Sequence, residues 1–494
     1  MKYIVTAKEM QEYDHNTIDS IGIPASVLME RAALCSRDVI LKDTEKLPRD
    51  RRKALILAGT GNNGADGLAL GRLLCERGFQ VSVCIVGDLL KAGELWKRQR
   101  TILNSFPVEI RDDFPAAEYT VYIDALFGVG LNREIAGRFR EAILWMNERS
   151  GRKYALDLPS GLHADKGKIL GCAVRADVTI TFGFCKRGLV LGEGPELAGK
   201  VIPVDIGISE YSFAGKFPGM FTYDEPIREL LPVRNPRGNK GTFGKVLLVA
   251  GSKNMAGAAV LAAHAAYRSG AGMVKVISDP ENRAILQRSV PEALFGTYED
   301  LKESIEWANV IAVGPGIGRS SEAMMALDIL METSELPMVI DADALNLIAE
   351  DKRMLAKIAQ SDRTMILTPH VGELSRLMEI PIGELKEDLS GYGMRLAESL
   401  GKIVVAKDYR TFICAERLPV CVNLRGNSGM ATAGSGDVLA GMIAALLAQG
   451  MDGFPAACVG VVLHAASGDM VSSQIGEHAC MAHDIAEALP LYSE

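Results

Sequence analysis

No uninterrupted apolar run in this 494-residue chain approaches the roughly 20 residues that a bilayer-spanning helix requires. The opening residues, Met1 to Met10, hold no long apolar segment followed by a cleavage site. A soluble, unexported protein with no membrane partner is therefore expected. A basic surface is also missing: the formal net charge is −8 and no Lys/Arg-rich stripe stands out, which argues against nucleic acid as a partner. The nine cysteines form no C-x-x-C pair, are odd in number and mostly sit inside apolar runs, as reduced core residues of a cytoplasmic protein would. With 48% hydrophobic and 23% charged residues, no large disordered segment is expected. The length suggests two or three domains, and small-molecule chemistry is the prior that survives.

What is present is a series of apolar strands running into polar turns. Residues 8–41 read as two helices broken at Gly22-Ile-Pro24, with Thr6 a candidate N-cap and Val27, Leu28, Ala32, Leu34 and Val39 a candidate buried face. The run Ala54 to Ala58 reads as a buried strand, followed by the turn Gly59 to Gly67 and a helix from Leu68 to Arg77. Strand, glycine turn and helix open a doubly wound sheet. Gly59, Gly61 and Gly64 match G-x-G-x-x-G, but Asn62, Asn63 and Asp66 put oxygens where a dinucleotide loop keeps small apolar side chains. Oxygen-rich loops suit hard cations or sugar hydroxyls. Two more strand ends, at Asp124 and at Asp157-Leu-Pro159-Ser160-Gly161, would bring Asn63, Asp124, Asp157 and Ser160 to one crevice of a parallel sheet.

Together G-T-G-N-N-G-A-D-G, D-A-L-F-G-V-G-L, D-L-P-S-G and T-F-G-F-C-K-R-G-L resemble the N-terminal domain of the NAD(P)HX epimerases, a Rossmann-like αβα fold. The resemblance implies a K⁺ ion on Asn63, Asp124 and Ser160. It also implies substrate contacts from Asn62, Asn63, Gly64, Ala65, Asp66, Gly128, Val129, Gly130, Leu131, Asn132, Arg133, Glu134 and Asp157. Ala65 stands where the family usually has a second glycine, and its Cβ is expected to crowd the substrate or shift the loop. Epimerisation requires an acid/base near the ring. Asp157 is the candidate, while Lys186 reads as an acid, a phosphate contact or an ordinary surface lysine.

A second α/β series follows a Gly/Phe/Pro-rich join, with domains expected at 1–218 and 219–494. Its strands, Val246 to Ala250, Met273 to Ser278, Val310 to Val313, Met338 to Ile340, Thr364 to Leu367 and Ile403 to Ala406, end in polar turns. Near the C-terminal end, G-N-S-G-M-A-T-A-G-S-G-D from Gly426 to Asp437 leads into the apolar run Val438 to Ala448. A small-residue loop before a helix directs free N–H groups at an anion. Asp437 reads either as an N-cap or as the base that takes a proton from an attacking hydroxyl.

These turns resemble the ADP- or ATP-dependent NAD(P)HX dehydratases of the ribokinase-like αβα fold, so the whole chain resembles the bifunctional repair enzymes. That resemblance implies NADHX and NADPHX as substrates, with Ala258, Gly318, His370 and Asp437 against the hydrated cofactor. Lys407, Asp408, Tyr409, Arg410, Thr411 and Gly436 would hold ADP or ATP with Mg²⁺. Asp408 stands where the family commonly has glycine, and His370, whose place at a strand tip favours ligand contact, has a helix cap as its second reading. Ribokinase-like relatives often assemble, so a homo-oligomer is expected. Two alternatives stay open: a small-molecule kinase with an accessory nucleotide-binding domain, and a non-enzymatic sensor of nicotinamide hydrates.

Overall fold

The computed structural model describes residues 2–489, which divide into two compact units, Lys2–Gly219 and the chain from Met220 onward. In the first, the strand Lys53–Ala58 shows how the sequence builds a three-layer sandwich. Its alternate residues point to opposite sides: Ala54, Ile56 and Ala58 join one core, Leu55 and Leu57 the other. The first core is covered by the helices Ala25–Asp43 and Asn62–Glu76, the second by Gly137–Asn147. Each buried Leu or Ile contributes roughly 1.5–3 kcal/mol. The wholly parallel sheet runs in the order Glu109–Arg111, Gln80–Ile85, Lys53–Ala58, Val121–Ala125, Arg152–Leu156, Val178–Phe182, Lys200–Val204. Strand order reverses between Lys53–Ala58 and Val121–Ala125, and a crevice opens at such a point. A separate short pairing, Lys2–Val5 with Cys185–Lys186, fixes the backbone of Lys186.

Thr6 caps the helix Ala7–His15 through a reciprocal capping box with Glu9, as expected. The buried stripe of Ala25–Asp43 is rotated from expectation: Leu28, Met29, Ala32, Ala33, Ser36 and Ile40 are buried, whereas Val27 is exposed. The helix after the glycine turn begins at Asn62, not Leu68. Gly64 makes this early start possible, because a Cβ there would lie 1.9 Å from the Gly59 carbonyl oxygen. Ala65 sits in that helix, fully buried in the core, so it does not crowd the crevice.

In the second unit the strands order as Leu294–Gly296, Met273–Ile277, Lys245–Val249, Val310–Val313, Met338–Ile340, Met365–Leu367, Ile403–Ala406, Thr411–Cys414, Val420–Asn423, Met220–Thr222. All pairings are parallel except those of Thr411–Cys414, which runs antiparallel to both neighbours. The order reverses between Lys245–Val249 and Val310–Val313, where Gly251 N donates to Pro315 O at 2.9 Å. The helix Ser435–Ala448 packs on Ala256–Arg268 and on Gly453–Ile475. This last helix corrects the expectation about apolar runs. It is 23 residues long and holds an 18-residue window of mean hydropathy 1.4, enough by length and composition to cross a bilayer, but 78% of that window is buried inside the unit. Every residue from Ala456 to Gly468 is buried, so it is a core helix with no solvent face along that stretch.

Candidate active sites

In the first unit a cavity of about 720 Å³ opens at the strand tips. Of the expected substrate contacts, Asn62, Asn63, Asp66, Gly128, Val129, Gly130, Leu131, Asn132, Arg133 and Asp157 line it, while Gly64, Ala65 and Glu134 do not. Glu134 is exposed, and Gly64 and Ala65 face the protein interior. Asp157 holds its wall with a left-handed backbone, φ 67°, a conformation that costs a non-glycine residue on the order of 1–3 kcal/mol. Lys186 is no surface lysine. Its side chain is 1% exposed, ion-paired with Asp157 Oδ1, and its Nζ donates to Phe182 O at 2.7 Å and Thr181 Oγ1 at 3.0 Å.

Two further carboxylates face this pair. Burial, and then the Asp157 charge, push Asp66 well above the aspartate range. Asp14 is raised by burial and by Asp157, with Lys186 opposing. Asp14 and Gln11 come from the first helix and were missed by sequence reasoning, which placed no site residue on that helix. The site thus holds one ammonium among three carboxylates, two of them biased toward the protonated form. That arrangement can give and take protons on more than one side of a bound ring.

Beneath the cavity, Asp124 is fully buried. Its Oδ2 accepts from Ser160 N at 2.7 Å and its Oδ1 from Ser160 Oγ at 2.6 Å, and burial pushes it up to about 6. Asn63 Nδ2 donates to Phe127 O at 2.9 Å, yet Asn63 Oδ1 is buried with no hydrogen-bond partner. An orphaned amide oxygen beside a buried carboxylate, a hydroxyl and a carbonyl is an all-oxygen donor set that fits a hard monovalent cation.

The second unit's site forms around Lys407. Its Nζ donates to Asp341 Oδ1 at 2.9 Å, and Thr368 Oγ1 donates to the same oxygen at 2.6 Å. Burial would lower the Lys407 ammonium, but Asp341 and Glu373 outweigh it and hold it above its ordinary range. Asp437 is not an N-cap. The helix starts earlier than expected, at Ser435, and its N-cap is Gly434 with φ 90°, so Asp437 stands in the first turn. There burial and Asp341 push its carboxyl up to about 7 against the pull of Lys407. The backbone at Gly436 lies beside this ion pair: a Cβ there would be in ordinary contact, 3.4 Å from Lys407 Nζ and 3.6 Å from Asp341 Oδ2. Gly318 N donates to Asp343 Oδ2 at 2.9 Å, and Ala258 stands in the first turn of Ala256–Arg268.

His370 caps the helix Val371–Met378: its Nδ1 accepts from Gly372 N at 2.9 Å, and its own N–H donates to Glu373 Oε2. Asp408 and Tyr409 are exposed, Arg410 donates to Leu424 O, and Thr411 begins the antiparallel strand. Sequence reasoning missed the support under the anion loop. His464, on the long core helix, lies 3.2 Å by its Nε2 from Ser435 Oγ, and burial lowers it to about 4, leaving a neutral ring at neutral pH. On the same helix Asp469 accepts from Gly426 N and Asn427 Nδ2, both at 2.9 Å. Both lie in an apolar stretch that reads as core, so only the fold could reveal them.

Two αβα units, the first on a wholly parallel sheet and the second on a mostly parallel one, each with ionisable groups at its strand tips and the second with a glycine-capped helix aimed at them, define an α/β enzyme with two separate sites. Residues 25–188 match the family described as YjeF-related protein N-terminus, and residues 246–491 the family described as NAD(P)H-hydrate dehydratase. A bifunctional NAD(P)H-hydrate repair enzyme of Moorella thermoacetica is 35% identical, with 99% of this chain and 96% of the relative aligned. Another, from Coxiella burnetii, is 34% identical with 98% of each covered. A ribokinase-like superfamily protein from Enterococcus faecalis, 30% identical, superposes with a TM-score of 0.52 over 56% of this chain and 96% of its own. The chain belongs to the bifunctional NAD(P)H-hydrate repair enzyme family.

Proposed function

We infer that the chain restores hydrated nicotinamide cofactors in two steps. The first unit interconverts the R and S epimers of NADHX and NADPHX, and the second dehydrates the S epimer to NADH or NADPH with ADP or ATP as phosphoryl donor. The observation that carries this reading is Asp437: a carboxyl poised near neutrality in the first turn of a glycine-capped helix, beside the Lys407 and Asp341 pair.

At the second site Asp437 takes the proton of the ring hydroxyl as that oxygen bonds to the terminal phosphorus and the bond to the nucleotide breaks. The first-turn amides, Gly436 among them, point at the transferred group and stabilise its charge. Phosphate then leaves with its electron pair, a proton departs from the neighbouring ring carbon, and the double bond is restored. Lys407 faces the phosphates, with Asp341 and Thr368 fixing its position. Ala258, Gly318 and His370 border the hydrated ring, while Asp408 to Thr411 border the adenine nucleotide. Asp343, which forms no ion pair among the described residues, fits as an oxygen ligand to a Mg²⁺ carried by the nucleotide, an ion that would neutralise phosphate charge.

At the first site Asp157 and Lys186 act as acid and base on the hydroxyl of the hydrated carbon, protonating it as it leaves as water and taking a proton as water adds back to either face, with Asp14 and Asp66, whose carboxyls burial pushes up, as neighbouring proton carriers. Asn63, Asp124 and Ser160 would hold K⁺, which supplies a fixed positive charge below the substrate. The nine cysteines are all unpaired, which fits the reducing cytoplasm. The test is to incubate the chain with mixed NADHX epimers and follow recovery of nicotinamide absorbance. Complete recovery with ADP or ATP, and none without nucleotide, is expected. Recovery without nucleotide would overturn the phosphoryl-transfer step.

A further inference from the structure

Away from both sets of strand tips, two helices of the second unit bring a different donor set together. On Ala256–Arg268, His264 and Arg268 are four residues apart and share a face; on Ala482–Ala488, His483 and Glu487 do the same. The two imidazoles stack with ring centroids 5.6 Å apart and planes 14° from parallel. Glu487 Oε1 lies 3.2 Å from His264 Nε2 and 4.0 Å from His483 Nε2. One ligand atom from each of the three residues falls within 4.8 Å of the others.

A metal ion about 2.0–2.2 Å from each of three tetrahedrally placed ligands requires those atoms roughly 3.3–3.5 Å apart. The two carboxylate-to-imidazole separations bracket that value and all three ligand atoms lie within 4.8 Å of one another; because an imidazole lone pair lies in the ring plane, the exposed His483 would turn out of its stack with His264 to aim its Nε2 at the same point. Arg268 supports the arrangement on one side. Its Nη2 donates to Glu487 Oε2 at 2.7 Å, which turns Oε1 toward both imidazoles, as an outer partner orients a ligating carboxylate. On the other side its Nε makes only a 3.4 Å contact to His264 Nε2, which an ion would displace.

We propose that His264, His483 and Glu487 form a site for a divalent transition metal of the zinc class, with water in the fourth position. Two nitrogen donors separate it from hard cations such as K⁺ and Mg²⁺, which take oxygen. The half-exposed His483 and Glu487 leave the fourth position open to solvent. The ion would pin Ala482–Ala488 to the end of the helix whose first turn carries Ala258.

The test uses the full chain, freed of metal by a chelator and titrated with Co²⁺ and with Zn²⁺ against a chromophoric competitor. One equivalent of Co²⁺ giving visible bands of a four-coordinate ion is expected, together with a rise in Tm on Zn²⁺ addition. Affinity should fall at least tenfold in His483→Gln and in Glu487→Gln, two partly exposed positions where the fold survives, while both repair activities persist. Equal affinity in wild type and His483→Gln, no visible Co²⁺ bands, or bands of thiolate ligation from the free cysteines would each overturn the proposal.

Discussion

Asp437 illustrates how one side chain sets conditions on both chemistry and stability. Its carboxyl is pushed up to about 7, and the base form is the ionised one, so dehydratase kcat/KM should climb as pH rises through about 7. A profile flat from pH 5 to 9 would remove Asp437 as the base. The linkage runs the opposite way. A carboxyl whose folded pKa is raised favours the folded state most below the ordinary aspartate range, and that advantage is lost as pH rises through the folded value. Asp437→Asn should therefore slow dehydration by about a hundredfold or more while epimerisation persists. In Tm measurements the same variant should gain on wild type above pH 7, with the gain shrinking toward acid pH. A loss of stability at alkaline pH would show that the carboxylate is held by partners rather than strained by burial.

At the scale of elements, the starts of two helices decide the sites. Gly434 reaches φ 90°, and a Cβ there would lie 2.4 Å from Leu261 Cδ1 on the neighbouring helix. Gly434→Ala should lower stability by about 1–2 kcal/mol from the left-handed backbone alone. Thermal unfolding and dehydration assays should show both losses, with epimer exchange unaffected. These starts are also where the sequence was hardest to read. Asn62-Asn63-Gly64 and Ser435-Gly436-Asp437 are poor helix formers, so local propensity delays each helix by several residues. Tertiary packing overrides it, and Asn63 and Asp437 end up on first turns, with Asp66 just beyond one, instead of in loops. Strands were legible because an all-parallel sheet buries both faces and writes near-continuous apolar runs. The buried ion pair of Lys186 and Asp157 was not, since it depends on a parallel pairing between Lys2–Val5 and Cys185–Lys186, far apart in the chain.

At the scale of the whole chain, two sites in one polypeptide divide a mixed substrate pool between them. Lys186→Met leaves Asp157 buried without its cation, a change that typically costs on the order of 3–5 kcal/mol, and removes a proton carrier. With mixed epimers and ADP, this variant should restore the S fraction at the wild-type rate and then slow to the pace of spontaneous epimer exchange. Single-phase recovery would mean that the first unit is not the epimerase.

The core helix Gly453–Ile475 sets a further condition on the second unit. Between Ala456 and Gly468 every residue is buried, the polar His464 and Ser467 included, so no partial opening can expose one side and keep the other packed. Its amides should exchange with deuterium only when the whole unit unfolds. Ser435, Gly426 and Asn427 hang from His464 and Asp469 on this same helix, so the glycine-rich segment from Gly426 to Ser435 shares the slowest clock in the unit, although glycine-rich loops elsewhere exchange among the fastest.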